Sequence, residues 1–299
     1  MPEENNQIKI LMNKKNRIDF MDWRIEGAKF VSILIIVYYH MLINASWVTS
    51  GVYIETWPPA IAVGVFFYCS GYVHGLNDQF NSPGSLNPTT YNKYIKKRFF
   101  RLFLGYSLAL FFVLIAKIIN QKPIDYSPWA LFLDFTSLRP LLTGTGGGIW
   151  LEGWFCCAIM IFSFVYPFIR MIKRIYLIPI SIIIITIRIF IIFSPFPDPA
   201  YFFPFSWLPE FIGGMVLGDK RRRLQGGPPK NKNGFQKIIV KMGIIVWPLY
   251  LSHMIAIAFL TEFASAWQLI LVGIAFIPLT IIFYFLLELI NKLLKKLEK

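Results

Sequence analysis

The chain has three histidines, and two of them, His40 in VSILIIVYYHML and His253 in WPLYLSHM, sit in long apolar runs. Imidazole is the side chain best suited to take up and return a proton near neutral pH. Lys29 precedes His40 by eleven residues. On a helix that is three turns plus about 20°, so the ammonium and the imidazole share one face about 16 Å apart. A cation at the membrane surface would then lie directly below a buried base. Glu152 in GIWLEGWF and Glu210 in SWLPEFIGG are the acidic candidates, because a carboxylate near an imidazole orients it and raises its basicity. A kink at Pro209 would open Glu210 to a cavity, with Arg188 as the expected ion-pair partner of either acid. Trp150 and Trp154, on either side of Glu152, read as an interfacial aromatic belt, and His74, at the end of the second apolar run, as an interfacial imidazole. In KYIKKRFFRLF the cations Lys96, Lys97, Arg98 and Arg101 gather. Arg98 and Arg101 are one helical turn apart and suit a phosphate-bearing ligand.

The elements that must carry these residues are membrane helices. Hydrophobic residues make up 56% of the chain and charged ones 15%, with 29 Phe, 14 Tyr and 9 Trp, and the mean hydropathy is +0.55. Soluble domains carry roughly a quarter charged residues, so an ordinary soluble domain is excluded and the bilayer is the expected solvent. Apolar runs of roughly 17 to 25 residues mark eight spans, near Ala28 to Ile43, Ala60 to Leu76, Phe99 to Ile119, Ile149 to Ile169, Ile175 to Phe193, Tyr201 to Gly218, Ile238 to Leu260 and Trp267 to Ile290. The expected fold class is therefore all-α, a polytopic transmembrane helix bundle.

The net charge of +14 would by itself suggest nucleic acid, but 26 of the 30 Lys and Arg fall on alternate sides of these spans. Only Lys117, Lys122, Arg139 and Arg188 fall on the opposite sides. That is the positive-inside pattern. It places both termini in the cytoplasm and gives the charge to orientation, so no nucleic-acid partner is expected.

The first residues are polar and basic, so no removable signal peptide is expected. Residues 1–24 read as a basic cytoplasmic segment, 25–291 as the membrane domain and 292–299 as a basic tail. Cys69, Cys156 and Cys157 fall inside spans, where reduced packing thiols are expected. Asp219 to Gly234 reads as a solvated cytoplasmic linker attractive to anionic headgroups. Between Asn120 and Gly148, Pro128 to Leu142 is too short to span, is interrupted by Asp134 and Arg139, and reads as an interfacial or re-entrant helix. No metal-ligand spacing, serine nucleophile turn or dinucleotide fingerprint occurs, so no metal is expected.

Taken together, these motifs resemble the acyltransferase-3 family of integral membrane proteins, which move acyl groups, usually acetyl, from acyl-CoA to glycans and other extracytoplasmic acceptors. Lys29, the ten residues FVSILIIVYY and His40 match its first-helix pattern. GVFFYCSGYV from Gly64 to Val73 matches the second helix, and RFFRLF, with Arg98 and Arg101, the basic start of the third. GIWLEGWF, FIGGMVLG and YLSHM are weaker echoes further along, and the family usually has more spans than the eight read here. The resemblance implies a multi-pass cell-membrane O-acetyltransferase with acyl-CoA, most simply acetyl-CoA, as donor and a glycan hydroxyl as acceptor. It implies that Lys29, Arg98 and Arg101 hold the donor's phosphates while His40 acts as general base or transient acyl acceptor, supplemented by Glu152 or His253. Two other readings remain open on composition: a transporter or flippase with a proton relay through His40, Glu210 and His253, and a structural membrane subunit.

Overall fold

The computed structural model describes residues 21–44, 57–76, 87–121, 127–146, 148–150, 153–225, 232–259 and 266–297. Among them all regular structure is helical, in the order α1 Trp23–Asn44, α2 Trp57–Leu76, α3 Pro88–Ile119, α4 Pro128–Phe135, α5 Arg139–Thr143, α6 Gly153–Met171, α7 Arg174–Ile192, α8 Asp198–Phe202, a 3-10 turn Pro204–Trp207, α9 Leu208–Gln225, α10 Gly234–Phe259 and α11 Ala266–Leu297. An all-α polytopic bundle is thus what the sequence folds into. Six helices, α1, α2, α3, α6, α7 and α10, are long and apolar enough to cross a membrane. The other two expected spans are helical in α9 and α11, but α9 is weighed down by Asp219, Lys220 and Arg221 to Arg223. In α11 the described apolar part is the shorter Phe276–Ile290.

Local sequence explains where these helices start. The Asn87 side chain caps α3 by accepting from the Thr90 amide at 2.9 Å, with Pro88 opening the helix. Ser127 and Pro128 repeat the arrangement at α4. A proline just inside a helix costs nothing, since its missing N–H had no helical partner there. The same rule corrects the expected kink at Pro209. Prolines 195, 197, 199 and 204 break the chain into α8 and the 3-10 turn, so α9 begins at Leu208 and Pro209 lies in its first turn. Glu210 is therefore at a helix start, not at a mid-span bend.

Two glycine pairs set the tightest packing. Gly71 and Gly75 on α2 lie against the carbonyls of Phe211 and Met215 on α9, while Gly214 and Gly218 on α9 lie against the carbonyls of Tyr68 and Tyr72. A Cβ at any of the four would overlap backbone. Both pairs have small-xxx-small spacing, which lets helix axes approach within a lipid environment that supplies no hydrophobic drive. Elsewhere α10 runs along α1, α3 and α11, α3 packs on α6, and α7 lies outside α9. Only Leu177 of α7 is buried, and Ile175, Ile178, Ile182 and Phe190 face outward, as a lipid-facing helix requires.

The Pro128 to Leu142 stretch is two short helices rather than one. Arg139 Nε donates to Asp134 Oδ1 at 2.6 Å, and the Asp134 carboxylate also accepts the amides of Gly148 at 3.0 Å and Ile149 at 2.9 Å. The two charges that interrupt the apolar stretch are thus its fastening, with Ser137 at φ 57 turning the chain between the helices. The expected linker is corrected likewise. Through Gln225 it is the end of α9, and Asp219 is only 1% exposed. Its later residues, 226–231, lie outside the described ones.

Candidate active site

α1 is one unbroken helix from Trp23 to Asn44, so Lys29 and His40 keep the shared face their spacing predicts. Because α10 packs along α1, the two spans bring their imidazoles together. His40 Nδ1 and His253 Nε2 are 3.1 Å apart, with the rings 7° from parallel. His253 is 1% exposed and His40 half-buried.

Backbone geometry assigns the protons in this pair. His253 Nδ1 lies 2.5 Å from the Tyr250 carbonyl oxygen, which can only accept, so Nδ1 carries the hydrogen. In the neutral ring Nε2 is then the acceptor. His40 must therefore donate from Nδ1 to His253 Nε2, and its own Nε2 bears the lone pair. The chain Tyr250 carbonyl, His253, His40 thus orients one basic nitrogen, much as a fixed acceptor sets the tautomer of a catalytic histidine.

Aromatic rings wall this pair on the bundle side. The Tyr250 ring lies 5.4 Å from His253, 4.9 Å from Phe155 and 6.0 Å from Trp150, and is stacked on Trp247. Trp150 and Trp154 are buried, at 1% and 4% exposure, so they are core residues and not an interfacial belt. The buried indole N–H groups of Trp150 and Trp247 have no hydrogen-bond partner among the described residues.

At the other end of the same region the cations sort themselves. Lys96 and Lys97 are exposed, whereas Arg98 and Arg101 are partly buried. The charges of Arg98 and Arg101 act on His74, and that of Lys29 acts on Cys69, five residues earlier on α2. Lys29, Arg98 and Arg101 are thus within electrostatic reach of the C-terminal half of α2. Lys29 is paired with the buried Glu26 at 2.7 Å, held by the close approach of Gly243 on α10. An ammonium has three N–H donors.

His74 departs from the expected interfacial position. It is 4% exposed, its Nδ1 lies 2.7 Å from the Ser70 carbonyl, and its buried Nε2 has no hydrogen-bond partner among the described residues. Its ring packs 4.8 Å from Tyr166 and 5.3 Å from Phe211. The sequence signal for this placement was the glycine spacing of GYVHG, which draws α2 onto α9.

Glu210 pairs with Arg188 at 2.7 Å, as expected, and Arg188 also lies over the Trp207 ring at 4.9 Å. It makes no hydrogen bond to either imidazole. Glu152 lies outside the described residues. Cys69, Cys156 and Cys157 are free and buried, in keeping with packing thiols.

A family model described as an acyltransferase domain, that of the acyltransferase-3 family, matches residues 22–297. The chain belongs to the acyltransferase-3 family. It is accordingly a membrane acyltransferase, and the match runs from the start of α1 to the last turn of α11, covering every element described above. Comparison with curated proteins and with solved structures gives no match. Within this acyltransferase the paired imidazoles and the cations around α2 are the groups whose chemistry suits an acyl transfer.

Proposed function

We propose that the protein is an O-acetyltransferase that takes acetyl from cytoplasmic acetyl-CoA and places it on a hydroxyl of an extracytoplasmic glycan, with both chain termini in the cytoplasm of a cell-membrane protein. The observation that carries this reading is the 3.1 Å contact of His40 Nδ1 with His253 Nε2, with His253 in turn held on the Tyr250 carbonyl. A hydroxyl acceptor must lose a proton as it attacks a thioester, and a neutral imidazole with a fixed lone pair is the group to take it.

The step balances without another reactant. The acceptor oxygen bonds to the thioester carbonyl carbon while its proton passes to His40 Nε2. Collapse of the tetrahedral intermediate breaks the carbon–sulfur bond, and the departing CoA sulfur takes the proton back from His40. His253 remains neutral and keeps donating to the Tyr250 carbonyl, which holds the His40 tautomer throughout. Attack by His40 Nε2 on the thioester, giving a transient acyl-imidazole, would use the same lone pair.

Donor binding falls to Arg98 and Arg101. The Lys29–Glu26 pair is neutral overall, so these guanidiniums supply the net attraction for the CoA phosphates, and Lys29 adds N–H donors. The rise of about 16 Å from Lys29 to His40 is of the order of an extended pantetheine arm. The buried indole N–H groups of Trp150 and Trp247 suit the amide carbonyls of that arm, and Glu152 remains a candidate for assisting the imidazoles.

The transporter reading is disfavoured by the same chain. A proton relay must pass its proton onward, whereas this one ends on the carbonyl of Tyr250, and Glu210 is occupied by Arg188. Purified protein supplied with labelled acetyl-CoA, with and without extracted surface glycan, tests the proposal. Glycan-dependent CoA release is expected, and its absence with every hydroxyl acceptor tried would reject it.

A further inference from the structure

A lysine ammonium ends a flexible four-carbon stem, and fixing such a stem on a ligand costs rotamer freedom. On α1 that freedom is already restricted. Lys29 Nζ lies 2.7 Å from Glu26 Oε2, one helical turn earlier, and the Glu26 side chain is 3% exposed where that of Lys29 is 21% exposed. An exposed pair at this spacing would contribute little. This one is different because its carboxylate has been taken out of water, which is costly unless the partner's geometry is fixed.

The neighbouring helix makes room for that carboxylate. A Cβ at Gly243 of α10 would overlap the Glu26 carboxylate and stand 2.5 Å from Glu26 Cβ. At Gly71 and Gly214 the obstructing atoms are backbone carbonyls of the facing helix, whereas at Gly243 the nearest ones belong to a side chain. The glycine at 243 is therefore a seat for Glu26. On the α2 side, Cys69 lies within reach of the charges of both Lys29 and Glu26. The carboxylate is thus enclosed where α1, α2 and α10 meet, and the ammonium it holds is the more exposed member of the pair.

We infer that Glu26 is a positioning residue that fixes the Lys29 ammonium for the acyl-CoA donor, an inference that rests on the donor assignment made above. Glu26 itself does not touch the donor. Net charge alone argues the other way, since a carboxylate beside Lys29 cancels its attraction for phosphate, and a site built for charge would omit it. What Glu26 supplies in exchange is a cation held in place before the donor arrives, which lowers the ordering cost of binding. The two views differ in the effect of moving the carboxylate without removing its charge.

The test is the Kd of CoA for purified full-length protein, measured by isothermal titration calorimetry. Glu26→Asp keeps the charge but draws the carboxylate back by about 1.5 Å, and is expected to weaken CoA binding about fivefold. Glu26→Gln keeps the length and an acceptor oxygen and should bind CoA more tightly than Glu26→Asp does. Lys29→Gln should weaken binding by itself, and adding Glu26→Asp to it should weaken binding no further, because Glu26 acts through Lys29. Thermal unfolding checks that each variant folds. A wild type that does not bind CoA overturns the donor assignment and the inference with it. Wild-type affinity in Glu26→Asp or in Lys29→Gln, with CoA bound by the wild type, overturns the inference alone. So does a fivefold loss from Glu26→Asp that persists in the Lys29→Gln background, which would make Glu26 a structural residue independent of Lys29.

Discussion

His40 Nδ1 donates to His253 Nε2 across 3.1 Å, from α1 to α10, in nearly parallel rings. Because His253 is itself held by the Tyr250 carbonyl, the proposed mechanism makes it a positioning residue for His40. His253→Phe should fold, since the site is apolar on its other sides, yet lower kcat by about a hundredfold with little change in the KM for acetyl-CoA. His253→Gln keeps an acceptor for the His40 N–H and should restore part of the loss. Steady-state kinetics of CoA release on both variants checks this. Equal rates for Phe and Gln would show that the hydrogen bond is irrelevant.

The glycine contacts between α2 and α9 should be intolerant of a single methyl. Gly71→Ala and Gly214→Ala must push two backbones apart and are expected to cost at least about 2 kcal/mol each. Gly234→Ala is the comparison, since a Cβ there meets nothing within 4 Å. Thermal unfolding in one detergent should show a lower Tm for the first two and no comparable loss for the third.

Asp134 holds the start of the chain that leads into α6. Removing it strands the mostly buried Arg139 and leaves the amides of Gly148 and Ile149 without their acceptor. Asp134→Ala should therefore destabilise by about 3 kcal/mol or more. Replacing both partners, as D134N/R139Q, should be milder than Asp134→Ala alone, a difference a double-mutant cycle resolves.

Burial pushes the Asp22 carboxyl up, but hydrogen bonds from Arg24 and Tyr72, with the Arg24 charge, more than offset it and hold it below the ordinary carboxylate value. A lowered folded-state value means that the ionised form is the stabilising one. Its contribution is complete above the unfolded value, about 4, and is lost as pH falls through the lower folded one. The Tm difference between wild type and Asp22→Asn should be constant from neutral pH down to about 4 and shrink below it. A difference that shrinks already near pH 6 would contradict this assignment.

The helices and the Lys29–His40 alignment were legible in the sequence because hydropathy and the 3.6-residue period are local properties. The meeting of His40 with His253 was not, since it depends on which helices are neighbours. The fate of the charges was hardest to read. Asp219 stands in DKRRRLQ, which looks like a solvated linker until the four arginines converge on it, and Asp134 and Arg139 look like interruptions until they pair. His74 reads as interfacial from its place at the end of an apolar run, until Gly71 and Gly75 bring α2 onto α9. Glu210 reads as standing at a kink when Pro209 is taken alone, but the four prolines preceding it together stop the helix.

In the proposed mechanism the His40 lone pair does the chemistry. It is tested most directly by the rate at which His40→Ala, inserted and folded as the wild type, transfers labelled acetyl from acetyl-CoA to extracted glycan. No transfer above background is expected, with the unfolding temperature staying near that of the wild type. Transfer at the wild-type rate would contradict it.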